Sequence, residues 1–308
     1  MQDLAPILTP PAGDLGSSNA PASYLANLAP SGRRTMQSAL ARVAQILTGR
    51  DLDAFVMPWS QVRYEHASAV RAILQAQYAP ATVNKHLTAL RGVMRECWRL
   101  GLIDGDTLAR IVDIPNVKGK RLPAGRMLSK EELTTLWCTA DVAPPQYGAC
   151  LALLFSAGLR RSEAASVTWG GVKSTVDALG SETWWVTVVG KGDKERRVPV
   201  RGSGACRLSR LWVEQQRHDR KGWRDEPILG TSQGRSVAKM LEKLVAAAGI
   251  PHASCHDLRR SFVSHALAGG APIADVARVA GHADPRTTAG YDRRADDALV
   301  GVADALPD

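Results

Sequence analysis

Six residues in the second half of the chain have the types needed to transfer a phosphoryl group: Arg160, Lys191, His256, Arg259, His282 and Tyr291, in that order. Arg160 closes Ser-Ala-Gly-Leu-Arg (156–160), Lys191 sits in Gly-Lys-Gly-Asp-Lys (190–194), His256 and Arg259 bracket His-Asp-Leu-Arg, and Gly281-His282 lies nine residues before Tyr291. Guanidinium groups are planar, stay charged at any working pH and match phosphate oxygens two bonds at a time. Two of them converging with two imidazoles would hold a phosphodiester, and donors fixed around its non-bridging oxygens stabilise the pentacoordinate state more than the ground state. Tyr291 is the candidate nucleophile, because neighbouring cations favour the phenolate of a group that ordinarily ionises at about pH 10. Lys191 is suited to protonate the leaving oxygen as general acid. His256 is the candidate to accept or share the tyrosine proton, and His282 to hydrogen-bond a phosphate oxygen.

Other phosphate chemistries are not encoded. Gly190-Lys191 is followed by Gly192 rather than Ser or Thr, and Trp185 occupies the position five before Gly190, so this is not a nucleotide-binding loop. Carboxylates are not clustered as a two-metal site requires. Neither a metal nor another cofactor is expected.

The elements that must position these residues follow from local signals. His256 and Arg259 are three apart in a helical stretch and emerge on one face. Arg160 stands at a Gly-Leu-Arg turn before Ser162-Glu163-Ala164-Ala165, a helix start that brings its guanidinium to a surface. The apolar run 150–155 predicts a buried helix leading into that turn. Residues 183–189 and 196–200, rich in β-branched types, predict a hairpin with Lys191 at its tip. Helical patterns resume at about residue 235, broken at 249–251, 269–272 and 284–285.

At 308 residues the chain exceeds the roughly 100–200 residues of one domain, so two cores are expected. Its formal net charge of +9 favours a polyanionic partner, nucleic acid first. The cysteines, Cys97, Cys138, Cys150, Cys206 and Cys255, are odd in number and form no Cys-x-x-Cys pair, which excludes a disulfide framework or structural zinc and fits a reducing cytoplasm. No stretch approaches the roughly 18 apolar residues that would span a bilayer, so a cytoplasmic protein, nucleoid-associated when active, is expected. Residues 1–20, rich in Pro, Gly, Ser and Asn, read as a flexible tail. Over 21–115, Met36, Leu40, Val43, Ile46 and Leu47, then Val83, Leu87, Leu90 and Met94, recur at helical spacing and predict an all-helical domain. Pro80 and Gly101 bracket its clearest helix, 81–100. Residues 116–127 form a basic linker in which Lys118, Lys120, Arg121 and Arg126 are interspersed with glycine and proline, suited to lie along phosphates and release counterions. Ser129 and Glu132 make a capping box that opens a mixed domain over 128–293, followed by a tail over 294–308. The fold class expected is mostly α with one small antiparallel β-sheet.

The order of the six residues, the phrases around them and the whole run from His282 to Tyr291 resemble the tyrosine recombinase (phage integrase) family over about residues 22–295. The resemblance implies an N-terminal helical core-binding (SAM-like) domain and a C-terminal α+β catalytic domain that together clamp duplex DNA, with the basic linker as hinge. It implies a 3′-phosphotyrosine and a free 5′-hydroxyl, so that religation needs no ATP. Lys191 would act from the minor groove, and Glu163 matches the family's acidic residue that orients the arginine and histidine. Thr82, Asn84, Leu87, Leu90 and Arg91 look like the family's DNA-contacting helix, on which Thr82, Lys85, His86 and Arg95 are favoured for DNA alongside Lys118, Lys120 and Arg121 of the linker. Two departures stand near the site: Arg260 where the family often has a second histidine, and Ala280 where it often has leucine before Gly-His. Neither touches the six chemical positions.

The expectation is therefore a site-specific recombinase acting on double-stranded DNA with an inverted-repeat core site, a monomer or dimer when free and a homo-tetramer on DNA, with residues 294–308 docking either onto a neighbour or back onto their own catalytic domain. Integration and excision of a mobile element, resolution of joined replicons, and inversion all fit. No separate arm-binding domain is expected ahead of the helical bundle. A type IB topoisomerase-like enzyme would use the same tyrosine chemistry as a monomer, and a non-catalytic DNA-binding regulator could keep the scaffold; both stay open at this point.

Overall fold

The computed structural model describes residues 19–119, 125–190, 194–216, 222–282, 284, 288 and 289, with Ser31 described by its backbone alone. The chain divides into two compact units, Met1–Pro123 and Ala124–Asp308. The first holds α1 (Ala20–Ala26), α2 (Pro30–Thr48), α3 (Tyr64–Gln77), α4 (Pro80–Arg99) and α5 (Gly105–Asp113). Leu40, Val43 and Leu47 of α2 and Val83, Leu87, Leu90 and Met94 of α4 are all buried, so the two apolar stripes meet in one core. Pro80 opens α4 and Gly101 follows its end, one residue from the bounds that the spacing predicts. The expected tail, 1–20, overlaps the first helix by its last two residues, the cap Asn19 and Ala20. Asn19 caps α1 by accepting the Ala22 N–H at 3.1 Å, and Ala20 and Pro21 are already buried. An asparagine one residue ahead of Ala-Pro is a start signal that the surrounding Pro, Gly and Ser composition hides.

The second unit builds its core around a three-stranded antiparallel sheet, β1 (Val172–Val176), β2 (Glu182–Val189) and β3 (Glu195–Val200), in the order β1-β2-β3. The unit's helices are α6 (Lys130–Val142), α7 (Pro145–Leu151), α8 (Arg161–Ser166), α9 (Gly202–Gln216), α10 (Gly234–Ala247), α11 (Cys255–Ala268) and α12 (Ile273–Ala280), of which α8 and α9 pack against β2 and α12 against β3. The Ser129–Glu132 capping box forms at the start of α6, with its two reciprocal bonds at 2.9 and 3.2 Å. Trp169, Trp184, Trp212 and Trp223 pack as tilted and edge-on neighbours with ring centroids 5.3–5.9 Å apart, an arrangement worth about 0.5–1.5 kcal/mol per pair beyond area burial.

Two elements go beyond the sequence reading. Only Val172 of β1 is buried, so that strand carries no alternation to betray it. The other is α9, which opens on Gly-Ser-Gly, a turn signal rather than a helix start. The apolar run ahead of Arg160 also departs from a plain helix. After α7 it widens into a π-helical turn, Ala152–Ser156, where the Ala157 N–H reaches back to the Ala152 carbonyl at 2.9 Å. Wide turns of this kind concentrate near functional sites, and this one delivers the chain to Gly158, Leu159 and Arg160. Among the described residues, no helix is long and apolar enough to cross a membrane.

Candidate active site

Four of the six residues lie within the described structure: Arg160 at the start of α8, His256 and Arg259 on α11, and His282 in the loop after α12. Arg160 caps α8 with extended backbone. Its backbone N–H donates to Glu163 Oε2 at 2.8 Å, Nη1 donates to Glu163 Oε1 at 2.8 Å, and Nη2 donates to the Gly281 carbonyl at 3.1 Å. The side chain of Arg160 remains 43 % exposed while that of Glu163 is 6 % exposed, so a buried carboxylate holds a guanidinium that still faces out. Arg259 on α11 is buried and fixed by two carbonyls at 2.6 Å, Gly158 through Nη1 and Ala280 through Nη2, with Nη1 also 3.9 Å from Glu163 Oε2. Arg196, which the sequence reading did not single out, completes the cluster. It donates to both Glu163 oxygens at 3.2 and 2.9 Å and to the Val279 carbonyl at 3.0 Å. The signal available was strand parity: Arg196 falls on the same face as Val198 and Val200, a charge where the pattern calls for an apolar residue.

His256 sits in the first turn of α11, exposed and three residues from Arg259 as expected. His282 follows the left-handed Gly281 that ends α12, and its Nδ1 lies 2.8 Å from Oγ1 of the fully buried Thr288. A cleft of about 430 Å³ opens beside Arg160, His256 and Arg259, and is also lined by Arg161, His252 and Glu242. The cleft thus brings Arg160, Arg259 and the His256 imidazole to one surface suited to an anion, while His282 stands outside its lining.

Burial first, then the charges of Arg259, Arg160, His256 and Arg196, push the His282 imidazole down to about 4. Partial desolvation, followed by Arg260 and Arg259, lowers His256 against the opposing pull of Asp257. Both rings are therefore neutral at neutral pH in the free protein. The folded value for His282 lies below the ordinary imidazole value of about 6.5, so as pH falls the unfolded chain takes up the proton first. The stability associated with this site is whole above about pH 6.5, is lost progressively as pH falls towards 4, and changes no further below. Thermal melts between pH 7 and pH 4 should show His282→Gln losing less stability over that window than the native chain. Parallel curves would mean that the imidazole is not held neutral.

Lys191 and Tyr291 lie outside the described residues, as do Lys120, Arg121 and the tail 294–308. The described base of the hairpin closes with a 2.8 Å bond from the Gly190 N–H to the Lys194 carbonyl. Arg126, read as part of the basic linker, is committed within the second unit: it pairs with both Glu132 oxygens at 2.7 Å and donates to the Pro251 and His252 carbonyls. In the first unit, Lys85, Arg95 and Lys118 are exposed and Thr82 is half-buried. His86 is a correction. It is buried, stacks on Tyr78 at 5.7 Å and donates through Nδ1 to the Thr82 carbonyl at 2.7 Å, so it is packed rather than presented. Asn84 and Arg91 likewise hold the chain: Asn84 exchanges two bonds with the Val117 backbone at 2.8 and 3.0 Å, and Arg91 binds Asn116 and the Ile114 carbonyl. Polar residues spaced along a helix predict a face, but they do not say whether a following segment covers it.

The phage integrase family model matches residues 126–297. A tyrosine recombinase XerD of Lacticaseibacillus casei is 30 % identical over 284 residues, covering 87 % of this chain and 93 % of the relative. One of the same name from Caulobacter vibrioides is 31 % identical over 241 residues, covering 73 % and 74 %. Among solved structures, a XerH site-specific recombinase bound to a palindromic difH substrate in a post-cleavage complex is similar, with a TM-score of 0.62 and 19 % identity over 87 % of this chain and 79 % of that one. A lambda integrase tetramer bound to a Holliday junction gives a TM-score of 0.62 and 12 % identity over 89 % of this chain and 76 % of that one. At such identities these structures share the fold.

Proposed function

The chain belongs to the phage integrase family and is a site-specific tyrosine recombinase that cleaves and rejoins DNA, and from this premise we propose how its residues divide the work. Arg160 and Arg259 hold the non-bridging oxygens of the scissile phosphate, the groups on which charge grows as the pentacoordinate state forms. Tyr291 attacks phosphorus and becomes the 3′-phosphotyrosine, His256 takes its proton, Lys191 protonates the leaving 5′-oxygen, and His282 donates to a phosphate oxygen. Glu163 orients the arginines. The observation that carries this reading is the shared carboxylate: Glu163, buried, accepts from Arg160 and Arg196 and lies 3.9 Å from Arg259, so its one charge organises the guanidinium cluster. The neutral state of His256 supports its part, because only a neutral imidazole can accept a proton. The phosphotyrosine keeps the energy of the broken bond, so religation requires no ATP.

Four copies act together on two duplexes, each copy on one half of an inverted-repeat core site; the tetrameric lambda integrase on its Holliday junction supports this assembly. Thr82, Lys85, Arg95, Lys118, Lys120 and Arg121 contact the DNA backbone and groove edges, and residues 294–308 dock onto the neighbouring copy. The biological setting is cytoplasmic exchange between DNA sites, in a mobile element or between joined replicons. The test is covalent capture. The protein is incubated with nicked genomic fragments and denatured, the attached DNA ends are sequenced, and the peptide bearing the nucleotide is identified by mass spectrometry. The expected result is DNA joined through its 3′ end to Tyr291, with ends converging on one inverted-repeat sequence. Attachment at scattered sequences would favour a topoisomerase-like enzyme, and tight binding without attachment a regulator.

A further inference from the structure

Arg196 has structural partners on both sides. Strand alternation turns it inward, two residues before the fully buried Val198, and it pairs across the ladder with Val188. On one side its guanidinium holds the arginine–histidine scaffold: Nε and Nη2 bind the Val279 and Ala280 carbonyls at 3.0 and 3.5 Å, and both Nη groups bind Glu163. Ala280 is also the acceptor for Arg259, and Glu163 the acceptor for Arg160. On the other side lies the hairpin. A side chain begun at Gly190 would start 3.4 Å from Arg196 Nη1, 3.5 Å from the Lys194 carbonyl and 3.9 Å from Glu163 Oε1. The last described residue before Lys191 thus lies beside the Arg196–Glu163 ion pair, itself only 14 % and 6 % exposed.

We propose that Arg196 is a positioning residue for protonation of the leaving group. Resting on the division of labour given above, it fixes the base of the β2–β3 hairpin on the Glu163–Ala280 scaffold, so that the lysine following Gly190 and the arginines holding the phosphate share one register. A planar fork that spends its donors on a carboxylate and two carbonyls sets both distance and angle, which a lysine or glutamine cannot reproduce. In the step it serves, Tyr291 Oη bonds to phosphorus and gives its proton to His256. The P–O5′ bond breaks with its electron pair on O5′, which takes a proton from Lys191. If sulfur bridges phosphorus and the 5′-carbon, the leaving group departs as a thiolate and needs no proton, so the step no longer depends on the lysine's position.

The experiment is single-turnover cleavage of two duplexes carrying the captured site, one with the ordinary linkage and one with a 5′-bridging phosphorothiolate. The native protein is compared with Arg196→Gln, Lys191→Ala and Arg160→Ala. On the ordinary duplex, Arg196→Gln should be slowed by about a hundredfold, within the range for loss of a general acid. On the sulfur duplex it should recover by at least about tenfold, as Lys191→Ala does, while Arg160→Ala recovers nothing. Recovery by Lys191→Ala alone overturns the proposal and leaves Arg196 as support for Glu163. If Lys191→Ala fails to recover as well, the general-acid assignment beneath the proposal fails with it. Should Arg196→Gln not fold, Arg196→Lys, which keeps the charge but lacks the planar fork, carries the same comparison.

Discussion

Replacing Glu163 with glutamine is expected to slow covalent attachment to DNA by about a hundredfold to a thousandfold and to destabilise the catalytic unit by about 3 kcal/mol. The carboxylate is 6 % exposed and receives the Arg160 N–H, one Arg160 Nη and both Arg196 Nη groups. Burial alone would raise its pKa. The hydrogen bond from Arg196, the Arg160 N–H and the charge of Arg196 outweigh burial and hold Glu163 below the usual carboxylate range. Its stabilising contribution is therefore present above the unfolded value of about 4.3 and is lost as pH falls through the lowered folded value. Glutamine keeps the shape, removes the charge and turns an amide donor towards guanidinium donors, leaving like groups facing one another in a buried site. Arg160 then loses the charged partner that aims it at a phosphate and keeps the Gly281 carbonyl. Urea melts report the stability, and single-turnover capture on the cognate site reports the rate. An unchanged rate alongside a lowered midpoint would reduce Glu163 to a structural pair.

Much of this site is legible in the sequence because its parts are local. The placement of His256 and Arg259 on one helix face follows from a spacing of three, the exposed setting of Arg160 follows from a Gly-Leu-Arg turn before a helix start, and the hairpin follows from two β-branched runs around Gly190 and Lys194. What the sequence hides is long-range. Arg196 meets Glu163 across 33 residues and Val279 across 83, and no local pattern encodes which buried acid an inward arginine will find. The same reason lies behind His86, Asn84 and Arg91. The spacing places their helix within one residue of its bounds, yet the 114–117 segment returns over Asn84 and Arg91, while Tyr78 and the Thr82 carbonyl take up the His86 ring. The π-helical turn is hidden differently, since Ala-Leu-Leu-Phe fits an α-helix equally well and only the packing selects the wider turn.

The consequence of that turn is testable at Gly158, where alanine is expected to lower stability by about 3 kcal/mol and the cleavage rate by about a hundredfold. Gly158 has φ 60°, in the left-handed region, where a β-carbon costs about 1–2 kcal/mol. A Cβ there would also stand 2.3 Å from Cδ1 of Phe262, an overlap that adds about 1–3 kcal/mol as the ring is displaced. For a unit of this size the sum corresponds to a fall in Tm of about 6–12 °C. The rate effect has a separate origin. The Gly158 carbonyl accepts Arg259 Nη1 at 2.6 Å, and its direction is set by that left-handed peptide. Moving the guanidinium by about 1 Å is enough to cost about a hundredfold in a reaction that depends on alignment. Combining Gly158→Ala with Phe262→Ala separates the two contributions, because the second change removes the ring that the new methyl meets while leaving the peptide strained. If the double variant regains Tm over Gly158→Ala but not rate, the carbonyl's orientation is what places Arg259. Recovery of both would assign the defect to packing against Phe262 and leave Arg259 placed by the Ala280 carbonyl.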